Sequence, residues 1–499
     1  MPDADRTVIL LRFSGEIATK AKPTRTRFEA RLLRNVHDAL RATGVASRLS
    51  RTRNRVFVDT RDLRAADALS RVFGVQSLAV ATVHPAEKLG ELVRTAYEQF
   101  HGAVVGKRFA VRVRRVGDRS KIKLESREIE QALGAALLPH ATRVDLDDPE
   151  IVASIELHES CAYLCEKEWR GPGGLPLGIE GGAIALLSGG FDSAVAAWQM
   201  LRRGIRLDYL FCNLGGRTHE LGVLRVAKVL AERWSYGDFP HLHAIDFEAV
   251  AAEIRAKTKS RYWQLILKRQ MLRAAEVVAA QRRAEALVTG DAVGQVSSQT
   301  LSNLAAISHA TDLPILRPLV GANKDEIIRL AEQIGTAPLS AVIAEYCSMA
   351  ATRPATSSRA SIVAAEEALL DPAILEHAIA NRCVFDLRSL DVESRGIPEL
   401  DVDVIAEDDT VIDLRSRAAF AGWHWPGALH LDFDRALVAH RSFARDQRYV
   451  LYCEFGLKSA HLAERMRQSG FESSNFRGGL RGIVALARTR RLPSPDPFW

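Results

Sequence analysis

The chain has 499 residues, 47% of them hydrophobic and 26% charged, enough for several packed cores and about three domains. No apolar run reaches the roughly 18 residues of a membrane span, and Met1 to Arg6 lacks the basic start and apolar core of a secretory signal. Six cysteines do not make a disulfide framework at this length, and the net charge of +7 (68 basic against 61 acidic) matters less than its distribution. The expected setting is cytoplasmic, with no membrane partner.

Val8 to Phe13 reads as a strand. From Lys20 to Arg34 there are six basic residues and one acid, Glu29, around an expected helix containing Phe28, Leu32 and Leu33. Lys107 to Lys123 carries eight basic residues against Asp118 alone. There Phe109, Val111 and Val113 alternate with Arg108, Arg112 and Arg114, as in a strand with one buried and one wet face. Arginines on one sheet face beside a second basic segment make a footprint for a phosphate backbone; a solvated face balanced by acids elsewhere is the alternative. The candidate contacts to such a backbone are Lys107, Arg108, Arg112, Arg114 and Arg115.

Ile155 to Trp169 reads as one strand. Cys161 and Cys165, four apart along it, would share a face about 13 Å apart, too far to bridge. No second pair or histidine cluster completes a zinc site, and no metal ligand set is assigned. Gly171 to Pro176 breaks all periodicity and reads as a linker.

Ala183 to Leu187 is a short apolar strand, and Ser193 to Arg203 reads as a helix closed by Gly204. Between them lie Ser188, Gly189, Gly190, Phe191, Asp192 and Ser193. Glycines there let the backbone approach an anion, and the helix start turns unpaired N–H groups towards it. No lysine follows the glycines, so this is not the common Gly-Lys-Ser/Thr phosphate loop. A cradle of N–H groups and hydroxyls suits a departing pyrophosphate, with Asp192 near enough to help hold a metal. Leu207 to Cys212, Leu242 to Phe247 and Ala286 to Thr289 read as further strands, Leu221 to Trp234 and Arg273 to Arg283 as helices. This alternation argues for a doubly wound parallel sheet with its site at the strands' C-terminal ends. Lys268 and Arg269 are expected at a helix start, where the dipole repels them unless an anion is bound; a long solvated helix is the other explanation. Cys347 follows in the run Glu345 to Ser348.

Ser361 to Ala380 is an expected helix, and Val411 to Ser416 and Tyr449 to Tyr452 are expected strands. Cys453 stands between the last strand and an expected helix from Ala460 to Gln468. Loop N–H groups and the helix dipole there suit the negative terminal sulfur of a persulfide.

Several of these runs carry resemblances. Ser188 to Ser193 resembles the PP-loop of the ATP pyrophosphatases, which adenylate a carbonyl oxygen and release pyrophosphate. Arg12 to Ile17 with Arg27, Phe28, Glu29 and Asn35 looks like the N-terminal ferredoxin-like domain of tRNA 4-thiouridine synthetases. Arg108 to Val113 with Arg115, and later Val144 to Leu146, look like that family's RNA-binding THUMP domain. Leu267 to Arg273, Thr289 to Thr300, Leu316 to Leu319 and Lys324 to Ile328 match it in order. The resemblance implies ATP contacts at Leu186, Leu187, Ser188, Gly189, Gly190, Asp192, Ser193, Lys268, Gly290 and Gln299, with magnesium alongside ATP. It gives Cys347 a place facing the activated uridine. Asp413 with Arg415, Pro426 to Ala428 and the Cys453 loop look like a rhodanese domain, with Cys453 bearing the persulfide. That loop departs from the pattern at Phe455, a place often held by arginine, which leaves Lys458 as its side-chain charge.

The implied fold is multidomain α/β. Residues 1–60 would be ferredoxin-like, 61–170 a THUMP domain, 176–358 the doubly wound PP-loop domain, 359–400 a helical linker and 401–499 rhodanese-like. The implied reaction adenylates C4 of the uridine at position 8 of tRNA and replaces its oxygen with sulfur from Cys453. A cysteine desulfurase would load the persulfide; Cys347 would either attack it to free sulfide or pair with Cys453 in a disulfide, which a thiol or ferredoxin-type reductant would reopen. A homodimer and a role in supplying sulfur for the thiamine thiazole are further implications. The competing expectation is a PP-loop ATP pyrophosphatase acting on a small metabolite, which has no use for the basic N-terminal third.

Overall fold

The computed structural model describes residues 6–52, 55–60, 62–341, 343, 354–392, 400–454 and 456–494. They gather into two units, one spanning 1–180 with the short segments 201–205 and 233–238, the other holding the rest.

In the first unit eight strands share one sheet. Their order is Arg48–Thr52, Arg55–Asp59, Arg6–Phe13, Val75–Pro85, Cys161–Arg170, Ile151–Leu157, Arg108–Arg115 and Arg143–Val144. Val75–Pro85 pairs antiparallel with Arg6–Phe13 on one side and with Cys161–Arg170 on the other, joining two helix-covered halves. Phe28, Leu32 and Val36 recur at helical spacing on Lys22–Thr43 and bury against Ile9, Leu11, Val56 and Val58. In the other half Leu92, Ala96 and Phe100 of Leu89–Val104 cover Phe109, Val111 and Val113. The stretch expected as one strand from Ile155 to Trp169 is instead the end of Ile151–Leu157, a turn, and the antiparallel Cys161–Arg170. No glycine or proline marks that turn, so the apolar pattern reads straight through it. Cys161 and Cys165 pack on the same apolar cluster, and both are free thiols.

Glu156 is the ionic exception inside this sheet. Fully buried, it accepts from Arg12 Nε at 2.5 Å and Arg55 Nε at 3.0 Å, while Arg12 also reaches Glu168 at 3.1 Å. Burial opposes its charge, but the His158 ring 3.8 Å away, the Arg55 hydrogen bond and the Arg12 charge outweigh this and hold the carboxyl far below the usual carboxylate range. Glu156→Ala leaves Arg12 buried without its main partner. It is expected to cost about 3–5 kcal/mol, read as a lower urea midpoint for this unit.

In the second unit a six-stranded sheet runs Ile315–Leu316, Ala286–Val288, Gly182–Leu186, Arg206–Asn213, His241–Asp246 and Cys383–Asp386. All neighbours are parallel except the last pair. From Gly182–Leu186 the chain builds outward on one side, then returns to place Ala286–Val288 on the other. Parallel sheets bind ligands in the crevice at such a reversal. The helices between its first four strands in sequence are Phe191–Arg202, Gly216–Trp234, Glu248–Lys257 and Trp263–Arg282. The expected helix from Ser361 to Ala380 is two, Ala360–Glu367 and Pro372–Ala380, the second capped by Asp371. Val363 and Ile379 bury in the core of this sheet, and Cys383–Asp386 supplies its edge strand. Of the stretch expected as a helical linker, residues 360–386 therefore pack on this sheet.

A five-stranded parallel sheet follows, in the order Asp401–Val402, Glu472–Phe476, Arg448–Tyr452, Thr410–Asp413 and Leu429–His430. No described helix is long and apolar enough to cross a membrane.

Candidate active site

The loop between Gly182–Leu186 and Phe191–Arg202 opens into the sheet's crevice and is braced by its own hydroxyls. Ser188 N–H donates to Ser193 Oγ at 3.2 Å, Ser193 Oγ lies 3.1 Å from the Gly190 carbonyl, and the two serine hydroxyls are 3.2 Å apart. A cavity of about 370 Å³ stands over the loop. Leu186, Leu187, Ser188, Gly190, Asp192 and Ser193 line it from the loop side. Lys268, Gly290 and Gln299 line it from elsewhere, so the structure gathers residues up to 113 positions apart into one site. Gly189 completes the loop; a Cβ there would meet Ile343 Cδ1 at 2.6 Å and Val223 Cγ2 at 3.0 Å.

Asp291 ties the far wall together. It accepts from Lys268 Nζ at 2.9 Å, Thr289 Oγ1 at 2.8 Å, Gln299 Nε2 at 3.3 Å and Arg317 Nε at 3.3 Å. Lys268 is thus in the second turn of Trp263–Arg282, not at a helix start, and its offsetting anion is a carboxylate of the protein. Arg269 is buried and bonded to Glu367 at 2.7 Å. Asp291, Arg317 and Lys324 received no individual role from the sequence. The available signal was polar residues just after the strands Ala286–Val288 and Ile315–Leu316 and at the start of the helix Lys324–Ile334. Lys324 Nζ lies 3.0 Å from both carboxylate oxygens of Asp192, and Gln295 Nε2 donates to one of them at 3.1 Å.

Burial would raise the Asp291 carboxyl, but the Lys268 charge, hydrogen bonds from Lys268 and Thr289, and the Arg317 charge outweigh it and hold it at about 2, against an ordinary 3.8. Because the folded value is the depressed one, the stabilisation is complete above the ordinary value and is lost as the pH falls towards the folded value. It is worth about 2 kcal/mol. Asp291→Asn is expected to flatten the acid limb of an unfolding titration between about pH 5 and pH 2.

On the first unit, Arg112 and Arg114 are exposed on the wet face of Arg108–Arg115, with Lys107 exposed just before it. Arg108 is taken up by Asp145, Asp148 and Glu150, and Arg115 by Glu125 at 2.6 Å. The alternation therefore leaves less unneutralised charge than the residue count suggests.

In the last sheet, Cys453 follows Arg448–Tyr452 and is 3% exposed, its sulfur 3.3 Å from the Ser459 hydroxyl. The helix begins at Leu457, three residues earlier than expected, so Lys458 and Ser459 lie in its first turn. Beneath the loop, Tyr452 OH donates to Asp413 at 2.6 Å, and Arg415 donates to the same carboxylate at 2.7 Å. Cys347 and Phe455 lie outside the described residues.

The thiamine biosynthesis protein (ThiI) family model matches residues 178–371, the ThiI ferredoxin-like domain 8–79, the THUMP domain 85–165 and the rhodanese-like domain 399–486. A tRNA sulfurtransferase of Pyrobaculum aerophilum is 38% identical over 475 residues, 94% of this chain and 96% of the relative. One from Marinobacter nauticus is 37% identical over 477 residues, 93% of this chain and 97% of the relative. A crystal structure of a 4-thiouridine synthetase–RNA complex with bound ATP is 29% identical and superposes with a TM-score of 0.66, covering 76% of this chain and 99% of the other. With motifs in every domain and relatives of this identity over nearly their whole length, the chain belongs to the tRNA sulfurtransferase family.

Proposed function

We propose that the chain transfers sulfur to tRNA at the expense of ATP, making 4-thiouridine from the uridine at position 8. The observation that carries the reading is the cavity, where a glycine-rich strand-to-helix loop faces Lys268, Gly290 and Gln299. Its lining fits a nucleoside triphosphate. Leu186, Met271 and Ile307 offer apolar surface to a base, while Ser188, Gly190 and Ser193 offer hydroxyls and backbone to phosphates. ATP supplies the activation, turning the uridine C4 oxygen into an adenylate with release of pyrophosphate. Lys268 stands where it can offset phosphate charge, oriented by Asp291. No cluster of three or more metal-ligating side chains occurs among the described residues. Asp192 is then the carboxylate that would hold magnesium, with phosphate oxygens as the other ligands, after exchanging its pairing with Lys324.

Sulfur arrives as a persulfide on Cys453, loaded by a cysteine desulfurase. Its terminal sulfur bonds to C4, and the C4–O bond to AMP breaks. A thiolate, assigned to Cys347, then attacks Cys453 Sγ. The sulfur–sulfur bond breaks with its electron pair on the thiouridine, and a Cys347–Cys453 disulfide remains. A dithiol or ferredoxin-type reductant returns two electrons for the next cycle. Lys107, Arg112 and Arg114 are proposed contacts to tRNA phosphates, with Arg108 and Arg115 available on release of their acids. A cytoplasmic setting, a homodimer and a second outlet for sulfur into the thiamine thiazole complete the reading.

The test is liquid chromatography of nucleosides from tRNA incubated with the chain, ATP, magnesium, cysteine and a desulfurase. 4-Thiouridine is expected with the wild type and not with Asp192→Ala. Pyrophosphate release with a small metabolite, and none with tRNA, would overturn the proposal.

A further inference from the structure

The helix that cradles Cys453 has a second face. Leu457–Gln468 starts at the cysteine loop, and along it His461 and Glu464 point away from the five-stranded sheet's own core to meet Gly216–Trp234 of the PP-loop sheet. Thr218 Oγ1 donates to Glu464 Oε2 at 2.9 Å. Glu464 Oε1 lies 3.3 Å from where a Cβ on Gly216 would stand, so the bare first residue of the receiving helix lets the carboxylate come close. That carboxylate faces the positive end of a 19-residue helix, where a negative charge is favoured. Thr218 and His219 are 5% and 8% exposed, although they sit in the first turn. Beside them is His461, whose own neighbours include Phe433 at a ring distance of 6.0 Å and Arg465. Burial, with Arg465 and His219 adding to it, lowers His461 to about 4, and burial also lowers His219 to about 4. Two neutral imidazoles can share this contact near neutral pH without repulsion.

The contact also touches the catalytic loop. His219 Nε2 donates to the Ser188 carbonyl at 3.2 Å and lines the same cavity as Lys268. One turn of helix therefore meets the PP-loop on one side and the sulfur-carrying domain on the other. From Leu457 to Glu464 the rise along the helix is about 10 Å, so the contact lies within two turns of the Cys453 loop.

We propose that Glu464 and His461, set against Gly216, Thr218 and His219, form a seat that holds the Cys453-bearing domain on the adenylation domain and positions it for sulfur delivery. Glu464 and His461 are positioning residues; neither touches a reacting atom. A tethered domain acts at an effective concentration set by how often it is correctly placed, so weakening the seat slows delivery without altering activation. The delivery role rests on the proposed sulfur transfer, while the seat itself does not.

The experiment uses the full chain as wild type, Glu464→Gln and Glu464→Lys. Hydrogen exchange is followed over 214–222 and 457–466, and 4-thiouridine is measured with two donors, desulfurase-loaded persulfide and free hydrosulfide. Hydrosulfide brings sulfur already reduced and can displace AMP from C4 without Cys453. Glu464→Lys puts a cation against a helix N-terminus; faster exchange in both segments is expected, with roughly a tenfold or greater fall in persulfide-driven product. Hydrosulfide-driven product is expected to stay at the wild-type level, and Glu464→Gln, which keeps an acceptor for Thr218, to fall between. Unchanged exchange would overturn the seat. Faster exchange with undiminished persulfide-driven product, or equal loss with both donors, would overturn its part in delivery. If the wild type makes no thiouridine from either donor, sulfur transfer to tRNA falls and the delivery role with it, and exchange alone still judges the seat.

Discussion

A Cys453→Ser chain is expected to release pyrophosphate from ATP with tRNA at the wild-type rate and to make no measurable 4-thiouridine from a persulfide donor. The expected loss is at least ~10³-fold, because an alkoxide-derived oxygen cannot take over the sulfane sulfur that a thiolate nucleophile accepts from a desulfurase. Folding should be spared. Cys453 is buried, its sulfur is 3.3 Å from the Ser459 hydroxyl, and its carbonyl accepts from Leu480 N–H at 2.9 Å. A serine keeps the backbone bond and can keep the hydroxyl partner. Hydrosulfide should restore thiouridine in this variant, since it attacks C4 in place of the Cys453 persulfide. Persulfide-driven product within tenfold of the wild type would remove Cys453 from the reaction and send the search to another cysteine.

How far the site was legible follows from where its information lies. The loop Ser188 to Ser193 could be read because strand, glycine pair and helix start are consecutive, and local chemistry fixes their geometry. The place of Cys453 between a strand and a helix was legible for the same reason. Asp291 could not be assigned its role in the same way. Its meaning comes from Lys268, Gln299 and Arg317, which the fold brings from three different elements. The helix carrying Lys268 starts at Trp263, ten residues before Arg273, so Lys268 lies inside it and away from the dipole's positive end. Trp263 to Leu267 is rich in bulky apolar residues, with no capping side chain to announce the start. Similarly, the basic count from Lys107 to Lys123 gave no warning of Asp145, Asp148 and Glu150, which reach Arg108 across the strand pairing.

The fold followed the same rule. Alternating strands and helices in the middle third gave the parallel sheet, since helices fill every crossover between its parallel strands. The edge strand Cys383–Asp386 escaped notice because its partner, His241–Asp246, is about 140 residues earlier and the pairing is antiparallel. The eight-stranded sheet of the first unit was invisible as a single object. It depends on Val75–Pro85 being long enough to pair with both halves, a property of register that composition does not display.

Gly290→Ala is expected to give the opposite signature to Cys453→Ser. A Cβ at Gly290 would lie 2.7 Å from the Asp192 carbonyl carbon, 2.8 Å from the Ser193 nitrogen and 2.9 Å from the Asp192 oxygen. These are backbone atoms at the end of the PP-loop, in the first turn of Phe191–Arg202, and they cannot swing aside as the end of a long side chain can. Either the loop following Ala286–Val288 retreats or the helix start carrying Asp192 and Ser193 moves. A displacement approaching 1 Å at a positioned catalytic group can cost about 10²-fold in rate. Pyrophosphate release with tRNA should fall by that order, at an overpacking cost of about 1–3 kcal/mol in stability. Hydrosulfide should not rescue this variant, because activation of C4 precedes any sulfur donor. Loading of Cys453 by a desulfurase should be intact, since that cysteine belongs to the separate five-stranded sheet. Normal pyrophosphate release from Gly290→Ala would mean that this loop does not press on the PP-loop in solution, and the assignment of ATP to the cavity would lose its geometric basis.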